Sequence, residues 1–473
     1  MTVLSKFLEF NRQKKIDVIC LGDTMVDEYL NVSVNRISPE GPFPVLHSLD
    51  DVPVCKLGGC ANVAAQFKYF NSSVKLGCLY DPRYNWLFRE NQIECLYPSD
   101  ESFFSMPVKR RFLTSEGIQI IRHDIEPPLY GTTQSDIENA VNQVINNIKT
   151  KCSASTVIVL SDYSKGFFSK PDFNYIEPFK NNITIVDPKD GDLSKWIGCT
   201  VFKLNAIEAE RFTGLKNWKE QSVYLQNILQ CKSVVITHSG GIVSGVYNKD
   251  YFCYEPKRMV KAKSSVGAGD AFVAVMSLSL GHGFEIPDAI EIAWNAGASY
   301  VQKGMNQPVS PADLSGKIVN PLDLKLRDFG LVFTNGCYDL LHASHIKQLQ
   351  YAKSEADKRR CKLVVGVNSD KSVKQLKGDS RPVISLNDRM TTLSLLDCID
   401  FVVSFDEVTP EQIIKVIVPN YICKGGDYVS KSEIVGCSIV GEDNVILTPK
   451  FDLPSTTDII DKILYDHSPS NSF

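Results

Sequence analysis

No two cysteines in this chain are spaced Cys-x-x-Cys, and its seven histidines form no ligand-like grouping with the fourteen cysteines scattered from Cys20 to Cys437. The usual structural-zinc patterns are therefore missing, and reduced packing thiols in a cytoplasmic protein are expected. A run of eighteen apolar residues is absent, and Met1 to Lys15 is polar and charged without an apolar signal core, so neither a membrane span nor a targeting peptide is expected. Basic excess is lacking too. A net charge of −4 and a pI of about 6.0 argue against nucleic acid as the main partner and leave anionic small molecules to local basic groups. What is present is an ordinary soluble composition, 43% hydrophobic and 22% charged, in 473 residues. That length exceeds what one core organises, so more than one domain is expected.

Short apolar runs ending in polar or glycine-containing loops recur along the first three hundred residues. They include DVICLG at 17–22, STVIVL at 155–160, Ile183 to Val186 and Val234 to Thr237, with amphipathic stretches between. This alternation predicts an α/β fold, a mainly parallel sheet with helices on both faces and function on the loops at the strands' carboxyl ends. Asp27 falls near the first such end, where a ligand-binding carboxylate and a turn-stabilising one fit equally. Between Tyr29 and His47, and between Val108 and Arg122, the pattern becomes short alternating strands, which predicts a small β flap. Lys109, Arg110 and Arg111 on that flap suit an anionic substrate group, or a basic edge that discourages sheet pairing.

Val266-Gly267-Ala268-Gly269-Asp270 stands before an apolar helical stretch. Two glycines in four positions allow a sharp turn with bare N–H groups at a helix start, which suits a phosphoryl group in transfer; Asp270 would take the proton of an attacking hydroxyl. A tight loop before a core helix gives the same letters. Gly58-Gly59-Cys60-Ala61-Asn62 likewise introduces a helix, with Asn62 either a ligand amide or an N-cap.

Gly58, Gly59 and Asn62, Asn205 and Glu208 in KLNAIEAE, and Gly267 to Asp270 together resemble the ribokinase (PfkB-type) family of sugar kinases. GDTMVDEY, NRISPEGPFPV, LSDYSKG and VDPK are similar, more narrowly, to the kinase half of the bifunctional heptose enzymes (HldE or RfaE type) of lipopolysaccharide-precursor synthesis. The resemblance implies that Asp270 is the base and that Gly267, Ala268 and Gly269 supply the anion hole. Asp27, Gly58, Gly59 and Asn62 would hold the sugar, and Lys109 and Arg111 its own phosphate. Asn205 and Glu208 would position Mg-ATP, with no direct protein ligand to the metal except, through the nucleotide complex, Glu208. The flap would be a lid and a homodimer clasp. Ser264 stands where many members carry an aspartate associated with a monovalent-cation site, which leaves potassium activation open, and Val108 stands where a hydroxyl is usual.

From Gln307 to Asp328, Pro308, Pro311 and Pro321 occur with Ser310, Ser315 and Gly316, a composition expected to break helices and form no core. Residues 1–310 thus read as a sugar-kinase domain, 311–328 as a linker and 329–473 as a second domain. In that domain an apolar strand runs into Asn335-Gly336-Cys337-Tyr338-Asp339, and His342 and His345 lie three apart at a helix start, a place for polyphosphate. A metal pair at this spacing would need a third ligand that the sequence does not show. Ser455, Thr456 and Thr457 open the last helix, as phosphate ligands or as a plain cap.

TNGCYDLLHASH, VNSD, LKGDSRP, VVSFDEVTPE, KGGDY and STTDII resemble, in that order, the HxGH nucleotidyltransferase half of the same enzymes. This implies a second, Rossmann-like α/β domain that binds ATP through Thr334, Asn335, His342 and His345. Lys377 would neutralise the transferring group and Ser455, Thr456 and Thr457 would hold the outer phosphates. Ser344 replaces the motif's glycine, which could weaken ATP binding. The combined expectation is ATP-dependent phosphorylation of heptose 7-phosphate at O1 and adenylyl transfer to heptose 1-phosphate, with a separate phosphatase between. Another sugar, CTP, or a nucleotide-binding scaffold without catalysis are the rival readings.

Overall fold

The computed structural model describes residues 2–79, 81–98, 104–126, 133–256, 260, 266–303, 307–425, 430–451, 456, 458–460 and 462. The chain divides into two compact units, Met1–Val309 and Ser310–Phe473.

In the first unit, β1 (Ile16–Gly22) leads into a long β2 (Thr24–Ile37), then β3 (Pro44–Ser48), β4 (Val54–Gly59), β5 (Ser72–Gly77), β6 (Glu94–Leu96), β7 (Val108–Leu113) and β8 (Gln119–Ile125). After the helix Gln134–Lys151 come β9 (Val157–Ser161), β10 (Ile183–Asp187), β11 (Val201–Asn205), β12 (Ser233–Thr237), β13 (Val243–Tyr247) and β14 (Asp250–Tyr254). The main sheet has the order β14-β13-β12-β11-β10-β9-β1-β5-β6 among the described residues. Its pairs are parallel except the two that attach β13 and β14. Every residue of β9 is buried, the mark of a strand covered on both faces.

The helix Ala268–Gly281 is apolar all round and buried from Asp270 to Leu280, which fits a helix inside the core rather than on its surface. Ser277 and Ser279 satisfy their hydroxyls on the carbonyls of Val273 and Val275, so they add no unpaired polar group to that interior. The flap is a separate sheet of order β3-β2-β7-β8, with β4 paired to β2. Its β8 is largely exposed along its length, with Ile120 and Ile125 half-buried.

The second unit carries β15 (Gly330–Gly336), β16 (Cys361–Asn368), β17 (Phe401–Phe405), β18 (Tyr421–Lys424) and β19 (Val445–Leu447) in the order β17-β16-β15-β18-β19, all parallel. The chain winds outward from β15 to one side and then returns to its other side, so β15 and β18 flank the point where the winding reverses. Open α/β sheets bind ligands at that point.

The expected linker 311–328 is not one. Ser310 opens a short capped helix, Pro311–Leu314, and Ala312, Val319 and Leu324 lie in the second unit's core. Ile318 bridges to Val402, whose carbonyl accepts the Val319 N–H. The prolines stand at the first positions of helical turns, where no N–H is missed, so composition misled about packing.

Candidate active sites

The first candidate site is built on the start of the 268–281 helix. Gly267 is its N-cap at φ +87°, a conformation that side-chain-bearing residues rarely adopt, and a Cβ there would overlap the Tyr300 hydroxyl. A Cβ on Gly269 would come 2.9 Å from the Lys203 Nζ, so the glycine lets that cation approach the helix start. Asp270, in the first turn, is buried. Its Oδ2 accepts from the Asn62 amide at 2.5 Å and its Oδ1 from the Tyr163 hydroxyl at 2.7 Å. Burial pushes its carboxyl up to about 6; those two donors and Lys203 oppose the rise, and Asp187 adds to it. A carboxylate at that value is mostly ionised at neutral pH yet basic enough to take a proton. Asn62 is not an N-cap: Gly59 holds that position, and the Asn62 amide serves Asp270.

Two of these groups carry no role in the sequence reading. Lys203 is buried in β11 and pairs with Asp187 at 3.1 Å, which keeps it charged despite desolvation. Tyr163 is positioned by Asp23, which accepts the backbone N–H groups of Tyr163, Lys165 and Phe167, each at 2.9 Å. Asp23, rather than Asp27, stands at the carboxyl end of β1. Its neighbour Asp162 is raised to about 7, by burial first and by Asp23 next.

Asp27 lies inside β2, opposite Lys109 on β7. It is buried and paired with Arg111, Oδ1 to Nη1 at 2.5 Å. Arg111 therefore holds Asp27 rather than standing free for a substrate phosphate. Lys109 is the available cation of the pair: half-buried, 6.0 Å over the Tyr163 ring, and lowered in pKa by burial. Gly58 permits this arrangement, because a Cβ there would come 2.9 Å from the Asp27 Oδ2. Val108 is buried at the start of β7.

Asn205 and Glu208, expected to position Mg-ATP, cap each other. The Glu208 N–H donates to the Asn205 Oδ1 at 2.9 Å, and the Asn205 N–H donates to the Glu208 Oε2 at 2.8 Å. This capping box accounts for their spacing without any ligand. The second Glu208 oxygen faces Lys189 Nζ at 3.8 Å, and its carboxyl is raised by burial and then by Asp187. Among the described residues no group of three His, Cys, Asp or Glu could hold a metal ion. Ser264 lies outside the described residues.

In the second unit His342 is the N-cap of the helix Ala343–Lys358, and the rings of His342 and His345 lie 3.9 Å apart at 33°. Tyr338 packs edge-on to His345 at 5.2 Å. Burial lowers both imidazoles, that of His345 to about 4 with His342 as the second cause. Both are neutral at physiological pH and act as hydrogen-bond donors and acceptors rather than as cations. His342 Nε2 meets Thr456 Oγ1 at 3.1 Å, while its buried Nδ1 has no hydrogen-bond partner among the described residues. Thr456 thus reaches the histidines; Ser455 and Thr457 lie outside the described residues. Ser344 is half-buried in the first turn.

Lys377 ends the helix Asp370–Lys377 on the surface, and its charge, with those of Arg389 and Arg381, opposes the burial that raises the Cys337 thiol. Arg381 itself is bound to Asp339, which also accepts the N–H groups of Val383 and Ile384. Thr334 hydrogen-bonds Tyr338. Asn335 is held by Lys424, a residue without a role in the sequence reading, through both its side-chain and its backbone oxygen.

A Bifunctional protein HldE from Campylobacter jejuni subsp. doylei is 35% identical, across 96% of this chain and 99% of its own. The chain belongs to the bifunctional HldE family. An HldE from Hydrogenovibrio crunogenus is 30% identical over 95% of this chain and 96% of its own. Residues 132–313 match the pfkB family of carbohydrate kinases and residues 333–462 the cytidylyltransferase-like family, so the two HldE activities map to the two units. The chain is accordingly a bifunctional heptose kinase and adenylyltransferase of ADP-heptose synthesis, using ATP and small-molecule substrates. Phosphofructokinase-2 from Escherichia coli, solved in complex with potassium, matches at a TM-score of 0.50 and 16% identity, over 63% of this chain and 96% of that one. That likeness concerns fold alone. Among the described residues no helix is long and apolar enough to cross a membrane.

Proposed function

We propose that the first unit transfers the γ-phosphoryl group of ATP to O1 of D-glycero-D-manno-heptose 7-phosphate, and that the second joins AMP to heptose 1-phosphate, giving ADP-heptose for the lipopolysaccharide core. In the first reaction Asp270 takes the O1 proton, O1 bonds to the γ-phosphorus, and ADP leaves. The amides of Gly267, Ala268 and Gly269, with Lys203, stabilise the charge on the transferring group. Asn62 and the Asp27–Arg111 pair are placed to orient sugar hydroxyls, and Lys109 to meet the 7-phosphate. In the second reaction an oxygen of heptose 1-phosphate bonds to the α-phosphorus and pyrophosphate leaves. That oxygen is already ionised, so orientation and charge stabilisation by His342, His345, Lys377 and Thr456 suffice without a protein base. A separate phosphatase must remove the 7-phosphate in between.

The observation that carries this reading is Asp270, a buried carboxylate in the first turn of a helix opened by Gly267, with each oxygen held by a neutral donor. Asp270→Asn should cut heptose-dependent ADP formation by about 10²–10⁴-fold while leaving pyrophosphate release from ATP and heptose 1-phosphate unchanged. Retained kinase turnover would remove Asp270 from the role. Substituting CTP in the pyrophosphate assay tests the rival nucleotide.

Magnesium, when bound with ATP, would neutralise charge on the phosphates. The acids facing the Lys203 edge, Asp187 and Glu208, suit an ion that arrives with ATP better than one held by protein alone. Fourteen unpaired thiols fit a reducing cytoplasm. Exposed Ile37 and Ile121 on the flap support a homodimer through that sheet. Sedimentation velocity should report a dimer that Ile121→Lys weakens; a monomeric wild type would remove the clasp.

A further inference from the structure

Lys424 closes β18, and its Nζ reaches across to β15, where it donates to the side-chain and backbone oxygens of Asn335. Both acceptors are neutral. Among the described residues no carboxylate pairs with Lys424, and burial lowers its ammonium to about 8. Lys424 is half-buried, whereas Lys203, the fully buried lysine among the described residues, has Asp187 beside it. A desolvated cation without a counter-ion costs free energy in the unliganded protein, and an anion arriving at that spot recovers it. The spot is the carboxyl end of the two strands that flank the reversal of the sheet's winding, the place where open α/β sheets take ligands. Asn335 and Thr334 lead from there into the segment that carries His342 and His345.

The geometry points to Lys424 as a catalytic residue of the adenylyl transfer, its ammonium contacting a phosphate at the β15/β18 crossing. This rests on the nucleotidyltransferase reading of the second unit and adds to it a residue that reading does not use. The phosphate is either the α-phosphate of ATP or the attacking phosphate of the sugar. As the new oxygen–phosphorus bond forms and the bond to the leaving pyrophosphate breaks, negative charge shifts among these oxygens. Lys424 keeps its protons throughout and acts by field and hydrogen bond.

Lys424→Met and Lys424→Gln in the full chain test this, with pyrophosphate release from ATP and heptose 1-phosphate as the readout. A loss of at least about 100-fold in kcat/KM is expected for both. Melting temperature should stay level or rise, because a half-buried charge with no carboxylate partner among the described residues has gone, and heptose-dependent ADP formation should be unchanged. The alkaline limb that Lys424 imposes on the wild-type rate should vanish from the residual activity. A raised KM for ATP with that for heptose 1-phosphate unchanged identifies the α-phosphate; the reverse identifies the attacking phosphate. Turnover within about threefold of wild type, or a loss of melting temperature with turnover kept, overturns the inference and makes Lys424 a strut for Asn335. A wild-type chain that releases no pyrophosphate removes the nucleotidyltransferase reading, and the role of Lys424 with it.

Discussion

The two sites answer the same problem, holding a triphosphate, with opposite protonation chemistry. The kinase site centres on a buried carboxylate raised to about 6. The described part of the nucleotidyltransferase site offers two imidazoles kept neutral by burial, one at about 4, and a lysine lowered to about 8. The difference follows from the nucleophiles. A sugar hydroxyl must lose a proton as it attacks, so its site needs a base; a phosphate monoester arrives ionised and needs only donors.

The strongest way to break this contrast is at His345. His345→Ala should reduce pyrophosphate release by about 10²–10³-fold and leave heptose-dependent ADP formation untouched, measured on one preparation. Equal losses in both assays would mean that the residue serves folding.

A finer separation comes from pH. With Asp270 in its proposed role of base, the kinase rate should fall as pH drops through about 6, to roughly a tenth of the plateau at pH 5. Pyrophosphate release should lose less of its rate there than the kinase does, since His345 stays neutral down to about 4 and burial lowers His342 as well. Tyr163→Phe sharpens the same comparison with the smallest effect. Removing a donor that favours the ionised carboxylate should move the kinase limb upward by less than about one pH unit without altering the other activity. Coincident profiles for both reactions would sink the assignment of the two protonation regimes.

The sequence made the two-unit α/β plan readable because buried parallel strands leave short apolar runs that end in polar loops, and the glycines beside Asp270 marked the helix start. What it concealed were roles that depend on partners far along the chain. Lys203 and Lys424 sit in strands, where a lysine ordinarily signals an exposed edge, and only the fold shows one beside Asp187 and the other against Asn335. Tyr163 reaches Asp270 across 107 positions. The resemblance implied that Asn205 and Glu208 position Mg-ATP; the structure adds that the two form a reciprocal helix cap, which their spacing also allows. Arg111 looked like a free cation because its partner Asp27 lies on a different strand.

The segment 310–328 bears on how the two activities could be separated genetically. A coding sequence that started the second half at Phe329 would discard Val319 and Leu324 from its hydrophobic interior, at about 1.5–3 kcal/mol for each side chain, and would strip the strand contact at Val402. A split that keeps this core whole falls ahead of Ala312, as the division between Val309 and Ser310 does, so this proline-bearing stretch travels with the adenylyltransferase.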